Sequence, residues 1–415
     1  MRTEQVPTLV LTNAAVLDVD GANLIPNQLI AIAGDRIVEV SSQRPIDAGV
    51  TVLDVAGRTV MPGLIDAHVH VTSVTANLAA LAEMSPFYVA ARSAALLRNM
   101  LMRGFTTVRD MGGADFGIAQ AVEERLLIGP RILFGGKSLS QSGGHGDQRP
   151  PGRTAIERET WSPAQSRICD GRVEVLRAVR DELRKGAHHI KLMVSGGITS
   201  PTDRIDSVQF SIEEISAAVE EAESANRYVA GHAYTARAVN RALECGVRSI
   251  EHGNLMDESS VELLLDKQAF YVPTLATYSA LAARGRESGL SEANHRKIFD
   301  VLDAGIKALE MAHRGGAQIV YGTDLLGDLQ DAQLSEFTLR AQVQPNIEII
   351  RAATSTAARL LRLEGLVGTI AAGGLADLVV YDGNPLDDIS LLTRPDATLK
   401  VIIKSGEIIK NSLAA

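Results

Sequence analysis

The sequence has little cysteine, few aromatic residues and no uninterrupted apolar run of the length that a membrane span needs. The two cysteines, Cys169 and Cys245, form neither a CxxC motif nor a disulfide framework, which favours a reducing compartment. The first residues lack a long apolar core before a small-residue cleavage site, so we expect no signal peptide. We therefore expect a cytoplasmic protein, with the periplasm as the alternative.

Clusters of lysine and arginine are also missing, and the formal net charge is −9. Nucleic acids and anionic membranes both select clustered positive charge, so we expect neither as the main partner. The apolar share of 46% and the charged share of 22% are ordinary for a globular protein. A chain of 415 residues has room for one large domain and a smaller one.

A repeat of strand followed by helix begins near residue 60. Apolar runs that are typical of buried strands alternate with stretches of helical spacing. The candidate strands are 60–67, 105–110, 131–135, 189–194, 227–231, 247–251, 269–274 and 318–322. Helical spacing is clearest at 173–185, 211–225, 235–245 and 298–314. Eight such repeats predict an α/β protein with a (β/α)8 TIM barrel.

Short strands and turns occupy both ends of the chain. Gly34-Asp35 lies between two apolar runs and is a hairpin signal, and further strands follow from about residue 375. We expect the two ends to pair with each other. The predicted domains are a small β-sandwich made of 1–60 and 365–415 and a hydrolase barrel at 61–364.

The first barrel strand ends in two histidines, within the stretch Met61 to His70. Alternate residues of a strand face the same side, so His68 and His70 point the same way and can bind one cation. Barrel enzymes place their sites at the carboxyl ends of the strands. The corresponding ends of later strands carry Lys191, His232, His252 and Asp324.

Each of these residues alone has an ordinary structural explanation. A single strand histidine is more often packed or at the surface than a ligand, and Asp324 could cap the following helix. Lys191 is harder to explain, because an ammonium in an apolar strand is costly to bury unless it is paired. It could also be a Schiff-base nucleophile. If each residue were present only for its ordinary structural reason, the location of all six side chains on one rim of one barrel would be a coincidence.

Taken together, these motifs resemble the amidohydrolase superfamily in its binuclear-metal form with a carboxylated lysine. The resemblance covers nearly the whole chain. It rests on Pro62 to His70, Glu251-His252-Gly253, Gly322-Thr323-Asp324 and the tail from Gly368 to Asp382. It implies two divalent metal ions, with Zn²⁺ first and Mn²⁺ or Co²⁺ also suited to nitrogen and oxygen ligands.

The resemblance also implies a role for each ligand. His68, His70 and Asp324 would hold one ion, and His232 and His252 would hold the other. Carbon dioxide would convert the Lys191 amine into N6-carboxylysine, an anionic oxygen donor that bridges both ions. Asp324 would also accept the proton of the attacking water and pass it to the leaving nitrogen.

Two further residues narrow the resemblance to one branch of the superfamily. His145 lies in a glycine-rich segment within 137–171, which we predict to be a long functional loop, and Tyr234 follows His232 by two residues. This pattern resembles Xaa-Pro dipeptidases, carboxypeptidases of N-acyl amino acids and ochratoxin-degrading amidohydrolases. There the histidine and tyrosine contact the scissile carbonyl or the carboxylate of the leaving amino acid. The ordinary alternatives are a solvated loop histidine and a packed tyrosine, and Arg204 is expected to be a surface residue.

The expected activity is hydrolysis of the amide bond of N-acyl amino acids or dipeptides that carry a free carboxylate, with release of an apolar C-terminal residue. Ochratoxin A, an N-acyl phenylalanine, is a specific candidate. A cyclic-amide hydrolase of the imidazolonepropionase type is the alternative enzyme, and deaminases fit less well because their one-metal sites usually lack the strand-four lysine. A non-catalytic barrel scaffold is the alternative of another class. The resemblance also implies a homo-oligomer, with an octamer as one candidate.

Overall fold

The computed structural model describes residues 6–43, 45–153 and 162–413. Its strands are β1 Leu9–Asp18, β2 Asn23–Ala33, β3 Arg36–Ser41, β4 Thr51–Asp54, β5 Thr59–Pro62, β6 Leu64–Val69, β7 Phe105–Asp110, β8 Arg131–Phe134, β9 Ser138–Ser140, β10 Ser166–Ile168, β11 Ile190–Met193, β12 Val229–Thr235, β13 Ser249–Leu255, β14 Phe270–Val272, β15 Gln318–Ile319, β16 Leu378–Tyr381, β17 Leu399–Lys404 and β18 Glu407–Asn411. Over these residues the model contains no helix with both the length and the apolar character required to cross a bilayer.

The helices lie mainly between the strands of the barrel. They are α1 Leu78–Ala82, α2 Pro86–Met102, α3 Phe116–Glu123, α4 Gly171–Arg184, α5 Ile212–Ser224, α6 Ala236–Glu244, α7 Glu258–Asp266, α8 Leu275–Arg284, α9 Glu292–Ile298, α10 Leu302–Gly315, α11 Ser335–Arg340, α12 Asn346–Ala352, α13 Ser355–Leu361 and α14 Pro395–Thr398. Two 3₁₀ helices span Gly327–Leu334 and Ile389–Thr393.

Local sequence explains where several of these helices begin and end. Helix α5 starts at a capping box, in which the Ser211 side chain accepts from the Glu214 N–H and the Glu214 side chain accepts from the Ser211 N–H. Helix α10 ends at Gly316, whose φ of 82° suits the left-handed conformation that terminates a helix. The four helices predicted from spacing are confirmed as α4, α5, α6 and α10.

The terminal strands form one hydrogen-bonded sheet around the long strand β1. The first part of β1 pairs in parallel with β4 and its last part with β5, and its register shifts between Leu11 and Ala14. A strand that changes partner at such an irregularity lets one sheet fold into the two layers of a β-sandwich. Strand β16 pairs antiparallel with β5, so the two chain ends meet as expected. The apolar core between the layers includes Leu11, Ile30, Val60 and Val401.

The remaining strands build the barrel, and all eight predicted strands are present. Strands β6, β7 and β8 are neighbours, and β11 to β15 pair in parallel in chain order. The His188 N–H donates to the Phe134 carbonyl oxygen at 2.8 Å and links β8 to the start of β11. The Ala67 N–H donates to the Tyr321 carbonyl oxygen at 2.9 Å and closes the ring. The (β/α)8 prediction is therefore confirmed.

The segment 137–171 is not a plain loop, so that prediction is wrong in part. Strands β9 and β10 lie within it and pair in parallel, and Leu139 is paired with Leu192 of β11. The physical reason is that their main-chain hydrogen bonds extend the parallel sheet beyond the barrel, a long-range pairing that glycine and proline content does not reveal.

By compactness the chain divides into two units. One contains the described residues of 1–66, 99–107 and 344–415, and the other those of 67–98 and 108–343. The domain boundaries expected from the sequence, with the barrel at 61–364, stay a prediction.

Candidate metal centre and substrate cavity

The carboxyl ends of the barrel strands bring the six expected ligands to one place. His68 belongs to β6 and His70 follows it directly, while the others lie on or just after later strands: Lys191 on β11, His232 on β12, His252 on β13 and Asp324 after β15. All six line the same cavity. The four histidines and Lys191 are buried, and the Asp324 side chain is 21% exposed.

Three of these residues form a compact cluster. The ligand atoms of His68, His70 and Asp324 all lie within 4.8 Å of one another. Asp324 Oδ1 is 3.0 Å from His70 Nε2 and 3.3 Å from His68 Nε2. Burial alone would raise the pKa of Asp324, but the two histidines outweigh it and hold that pKa well below its ordinary value. A carboxylate and two imidazoles at this spacing are a suitable donor set for a divalent cation.

The second ring nitrogen of each of these two histidines is held by the protein. His70 Nδ1 lies 2.9 Å from the Gly112 carbonyl oxygen, and His68 Nδ1 lies 2.8 Å from Glu251 Oε2. Such contacts fix the proton on Nδ1 and leave the Nε2 lone pair for a metal. Both Nε2 atoms do point at the same Asp324 oxygen, which is the arrangement that a metal ligand set requires.

Glu251 is itself part of a fully buried ion pair. Its Oε1 accepts from Arg109 Nη2 at 2.9 Å and from Ser249 Oγ at 2.7 Å. The Arg109 guanidinium also donates through Nε to the Ala67 carbonyl oxygen. Burial raises the pKa of Glu251, but Arg109 and His68 outweigh burial and keep that pKa below its ordinary value. The candidate ligand His68 is thus oriented by a charged acceptor, Glu251, whose partner Arg109 lies on β7.

The other two histidines continue the group of rings beyond His68. The ring centroid of His252 is 5.1 Å from that of His68 and 4.6 Å from that of His232. His252 Nδ1 lies 2.8 Å from Thr274 Oγ1, and His232 Nε2 lies 3.0 Å from the Gly196 carbonyl oxygen. Burial lowers the pKa of both rings well below the ordinary histidine value, so they are neutral and each keeps one free lone pair.

Lys191 differs from the other five, because no described residue accepts a hydrogen bond from its amine although only 2% of the residue is exposed. Burial lowers the pKa of Lys191 to about 8, against the opposing influence of Glu251 and Asp324. An unpaired buried amine of lowered pKa fits the lysine that carbon dioxide converts into a carbamate, and it is a poor fit to a structural ion pair.

The backbone around the site adopts rare conformations. His252, Thr274 and Asp324 have φ values of 77°, 50° and 53°, in the left-handed region that side chains with a Cβ usually avoid. Strained residues of this kind cluster at functional sites. Asp324 is not the cap of the 3₁₀ helix that follows, which begins after Leu326, so the capping explanation for Asp324 fails.

His145 and Tyr234 both contact histidines of the candidate ligand set. The His145 ring stacks on His232 with centroids 4.3 Å apart, and the Tyr234 ring lies 4.9 Å from His232 and 5.4 Å from His252. The Tyr234 hydroxyl accepts from Tyr278 at 3.1 Å. The His145 side chain is only 11% exposed, so it is not a solvated loop histidine, whereas Tyr234 also packs in an apolar cluster with Ile198 and Tyr278. Arg204, in contrast, is exposed and pairs with Asp206, as expected for a surface residue.

The cavity has a volume of about 590 Å³ and mixes apolar and charged walls. Its apolar lining includes Met193, Ile198, Leu281 and Leu326. Lys137 lines the cavity as well, and its amine donates to the carbonyl oxygens of Ser162 and Ala164. A cavity of this size and character takes a small organic molecule with a polar end.

Sequence reasoning missed the residues that orient the ligands. Glu251 belongs to the motif Glu251-His252-Gly253, but its contact with His68 joins residues 183 positions apart, which the motif does not reveal. Arg109 belongs to no motif. An arginine inside an apolar strand, as in Phe105–Asp110, is the one sign that could have drawn attention to it.

Comparison with known proteins places these features in a family context. A model of the amidohydrolase family matches residues 59–409. Ochratoxinase from Aspergillus niger is 32% identical over 367 residues, which are 84% of this chain and 75% of that protein.

Two solved structures extend the comparison. A prolidase complexed with N-methylphosphonate-L-proline is 46% identical and superposes with a TM-score of 0.95, covering 97% of this chain and 99% of the prolidase. A Xaa-Pro dipeptidase with methionine bound in its active site is 28% identical with a TM-score of 0.87, covering 97% and 100%. The branch expected from the sequence is confirmed by these matches.

Proposed function

We propose a function for this chain from one premise: it belongs to the amidohydrolase family. It is accordingly a hydrolase that acts on amide bonds. The observation that carries the proposal is the convergence of His68, His70 and Asp324 beside the unpaired Lys191 within one cavity. The substrate, the metal ions and the role of each residue are what we add.

The proposed centre is binuclear. His68, His70 and Asp324 would hold one divalent ion and His232 and His252 the other, with N6-carboxylated Lys191 between them. Zn²⁺ suits nitrogen and oxygen donors without thiolate, and Mn²⁺ or Co²⁺ are alternatives. When bound, such ions polarise a carbonyl oxygen and make water a nucleophile near neutral pH.

The side chains supply the proton transfers and the orientation of the substrate. Asp324 is ionised, has a left-handed backbone conformation and lines the cavity. Its carboxylate can therefore take a proton from the attacking water and return it to the leaving nitrogen. His145 and Tyr234 flank His232 and would orient the acyl carbonyl or the carboxylate of the leaving amino acid.

The proposed substrates are N-acyl amino acids or dipeptides that release an apolar C-terminal residue. Three similarities support this choice: an ochratoxinase, a prolidase that binds an analogue of an acylated proline, and a dipeptidase that holds methionine. The apolar wall of Met193, Ile198 and Leu281 is consistent with an apolar side chain. Ochratoxin A is the specific candidate.

A substrate panel tests this proposal. Protein purified with bicarbonate and Zn²⁺ would be incubated with N-acyl amino acids, dipeptides, ochratoxin A, hydantoins and lactones, and the released amino acid measured by chromatography. Release of phenylalanine, proline or methionine is expected. Turnover of cyclic substrates alone would replace the proposal with the cyclic-amide alternative, and a metal-loaded protein inert to the whole panel would contradict the proposed substrate class.

We also propose a homo-oligomer, the octamer being one candidate, located in the cytoplasm. The oligomer follows from the resemblance to this branch, and the location from the scarcity of cysteine. Light scattering on the purified protein measures the first, and fractionation of the source cells measures the second.

A further inference from the structure

The ring of His145 is fixed from several directions by the segment that follows the site lysine. The main-chain N–H of His145 donates to Gln209 Oε1 at 2.8 Å, and the ring Nδ1 lies 2.8 Å from Ser200 Oγ. One face of the ring stacks on His232. Gly197 lies so close to the ring that a Cβ at this position would collide with it. Of the two ring nitrogens, this leaves Nε2 for the cavity that His145 lines.

Asp203 determines the direction of the hydrogen bond at Nδ1. One of its oxygens, Oδ1, accepts the hydroxyl of Ser200, and the other, Oδ2, accepts from the Gly197 N–H and from Gln209 Nε2, each at 3.0 Å. A carboxylate has no proton to give, so Ser200 must be the donor. The other acceptor near the hydroxyl, the Gly197 carbonyl oxygen, is 3.4 Å away, which is long for an O–H donor. The Ser200 oxygen therefore offers only lone pairs to His145, and the ring must donate.

We propose that Ser200 and Asp203 are positioning residues that keep a proton on His145 Nδ1 and direct Nε2 into the cavity. The assignment holds for a neutral ring and for a charged one, because only Nε2 differs between them. Its kinetic consequence rests on the proposed function, whereas the location of the proton does not.

Lys297 holds the whole segment in place. Its ammonium donates to the carbonyl oxygens of Gly197, Ser200 and Asp203 at 3.2, 3.0 and 2.9 Å. One charged donor therefore holds three main-chain carbonyl groups of the segment that contacts His145. Catalytic groups need support of this kind to stay within about 0.5 Å of their working position.

The tautomer decides what His145 can contact. A neutral ring with its proton on Nδ1 presents a lone pair at Nε2 and accepts from an N–H group, such as the amide of an N-acyl amino acid. The contact with an acyl carbonyl or a carboxylate proposed above needs an N–H at Nε2, so a ring that keeps its proton on Nδ1 makes that contact as the charged imidazolium, which carries a proton on both nitrogens. A ring with the opposite tautomer would reverse these preferences.

Asp203→Asn is the sharpest test. The two donors at Oδ2 require the amide oxygen there, so the new amide nitrogen faces Ser200 and donates to it. Ser200 then donates to His145 Nδ1, and the proton of the neutral ring moves to Nε2. Nitrogen NMR of ¹⁵N-histidine-labelled, Zn²⁺-loaded protein distinguishes the two tautomers, and His145→Gln identifies the signals by their loss.

Asp206→Asn is the matched control, since it makes the same chemical change in the same segment at an exposed residue whose carboxylate pairs with Arg204. We expect protonated Nδ1 in the wild type and in the control, and protonated Nε2 in Asp203→Asn. For hydrolysis, kcat/KM should fall about 10²- to 10⁴-fold in Asp203→Asn alone, the range between a lost acid–base contribution and a histidine held in the wrong tautomer.

A wild-type His145 protonated on Nε2 alone, or an Asp203→Asn protein with unchanged tautomer, would overturn the assignment. If Asp203→Asn does not fold, Ser200→Ala removes the link with a smaller change, and it should abolish the preference for Nδ1; retention of the preference would overturn the assignment equally. The spectra test the tautomer of His145 even if the protein hydrolyses no amide of the panel. Such a lack of hydrolysis would overturn the proposed function and leave the tautomer assignment intact.

Discussion

The two halves of the ligand set are built differently. His68, His70 and Asp324 already converge within 4.8 Å, and both imidazoles are oriented by acceptors behind them. In the other half the two histidines are equally well oriented, but Lys191 has no hydrogen-bond partner among the described residues. The fold therefore brings one half together from side chains alone, whereas the other half of the proposed centre would require carboxylation of Lys191.

The residues behind the ligands differ as well. Behind His68 stands a carboxylate, Glu251, in a fully buried pair with Arg109, whereas behind His252 stands the neutral hydroxyl of Thr274. Hydrogen bonds to charged groups contribute about 1.5–3 kcal/mol and neutral ones about 0.5–1.5 kcal/mol. We therefore expect mutations on the His68 side to weaken metal binding more than mutations on the His252 side.

Asp324→Asn should have the largest effect, because it removes a ligand of the preassembled half and the proposed proton acceptor together. We expect kcat to fall about 10³-fold, within the range of lost acid–base catalysis. Asp328→Asn is the control, since Asp328 lies four residues further along the chain and is exposed, and its contact with Arg92 is long, at 3.5 Å. Hydrolysis assays on both variants give the comparison, and an Asp324→Asn enzyme within tenfold of the wild type would contradict the role.

Lys191→Ala should come next, because it removes the residue on which the second half depends. We expect an activity loss of about 100-fold or more, since losing a ligand exceeds the 10–100-fold cost of losing a residue behind one. Added acetate or propionate should restore part of the activity by replacing the missing carboxylate in the space that the truncation leaves. Lys267→Ala, at an exposed lysine, should change nothing. Full activity in Lys191→Ala would exclude the carbamate.

Glu251→Gln tests whether the buried pair of Glu251 and Arg109 orients His68. It leaves Arg109 without its buried counter-charge, and breaking a buried ion pair in this way costs about 3–5 kcal/mol of stability. It also weakens the hold on His68, so metal affinity should fall about 10–100-fold.

Glu336→Gln separates these two effects. Glu336 and Arg340 form another fully buried pair, at 2.8 Å, but neither is a proposed metal ligand. Thermal unfolding of the metal-free proteins should show both variants destabilised, while titration with Zn²⁺ should show lowered affinity for Glu251→Gln alone. Equal affinities in the two variants would refute the orienting role of Glu251.

Thr274→Val should have the smallest effect. It keeps the shape of the side chain and removes the hydroxyl group that contacts His252 Nδ1 and Tyr278. We expect metal affinity to fall by no more than about tenfold, which corresponds to about 1.4 kcal/mol. Zn²⁺ titration measures it, and a loss larger than that of Glu251→Gln would reverse the comparison of the two sides.

The sequence predicted the parts of the site that depend on local pattern. His68 and His70 face one way because a strand alternates, and Lys191 stood out because an amine in an apolar strand needs an explanation. The residues behind them were not predictable in this manner. Glu251 meets His68 across 183 positions, and Ser200 meets His145 across 55, so only the fold reveals these contacts. Strands β9 and β10 were missed for the same reason.

The metal content of the purified protein tests the binuclear centre most directly. Protein prepared with bicarbonate and Zn²⁺ and freed of loosely bound metal would be analysed by inductively coupled plasma mass spectrometry, alongside Lys191→Ala. We predict two ions per chain in the wild type and at most one in the variant. One ion or fewer in the wild type, or two in Lys191→Ala, would contradict the binuclear centre bridged by a carboxylated lysine.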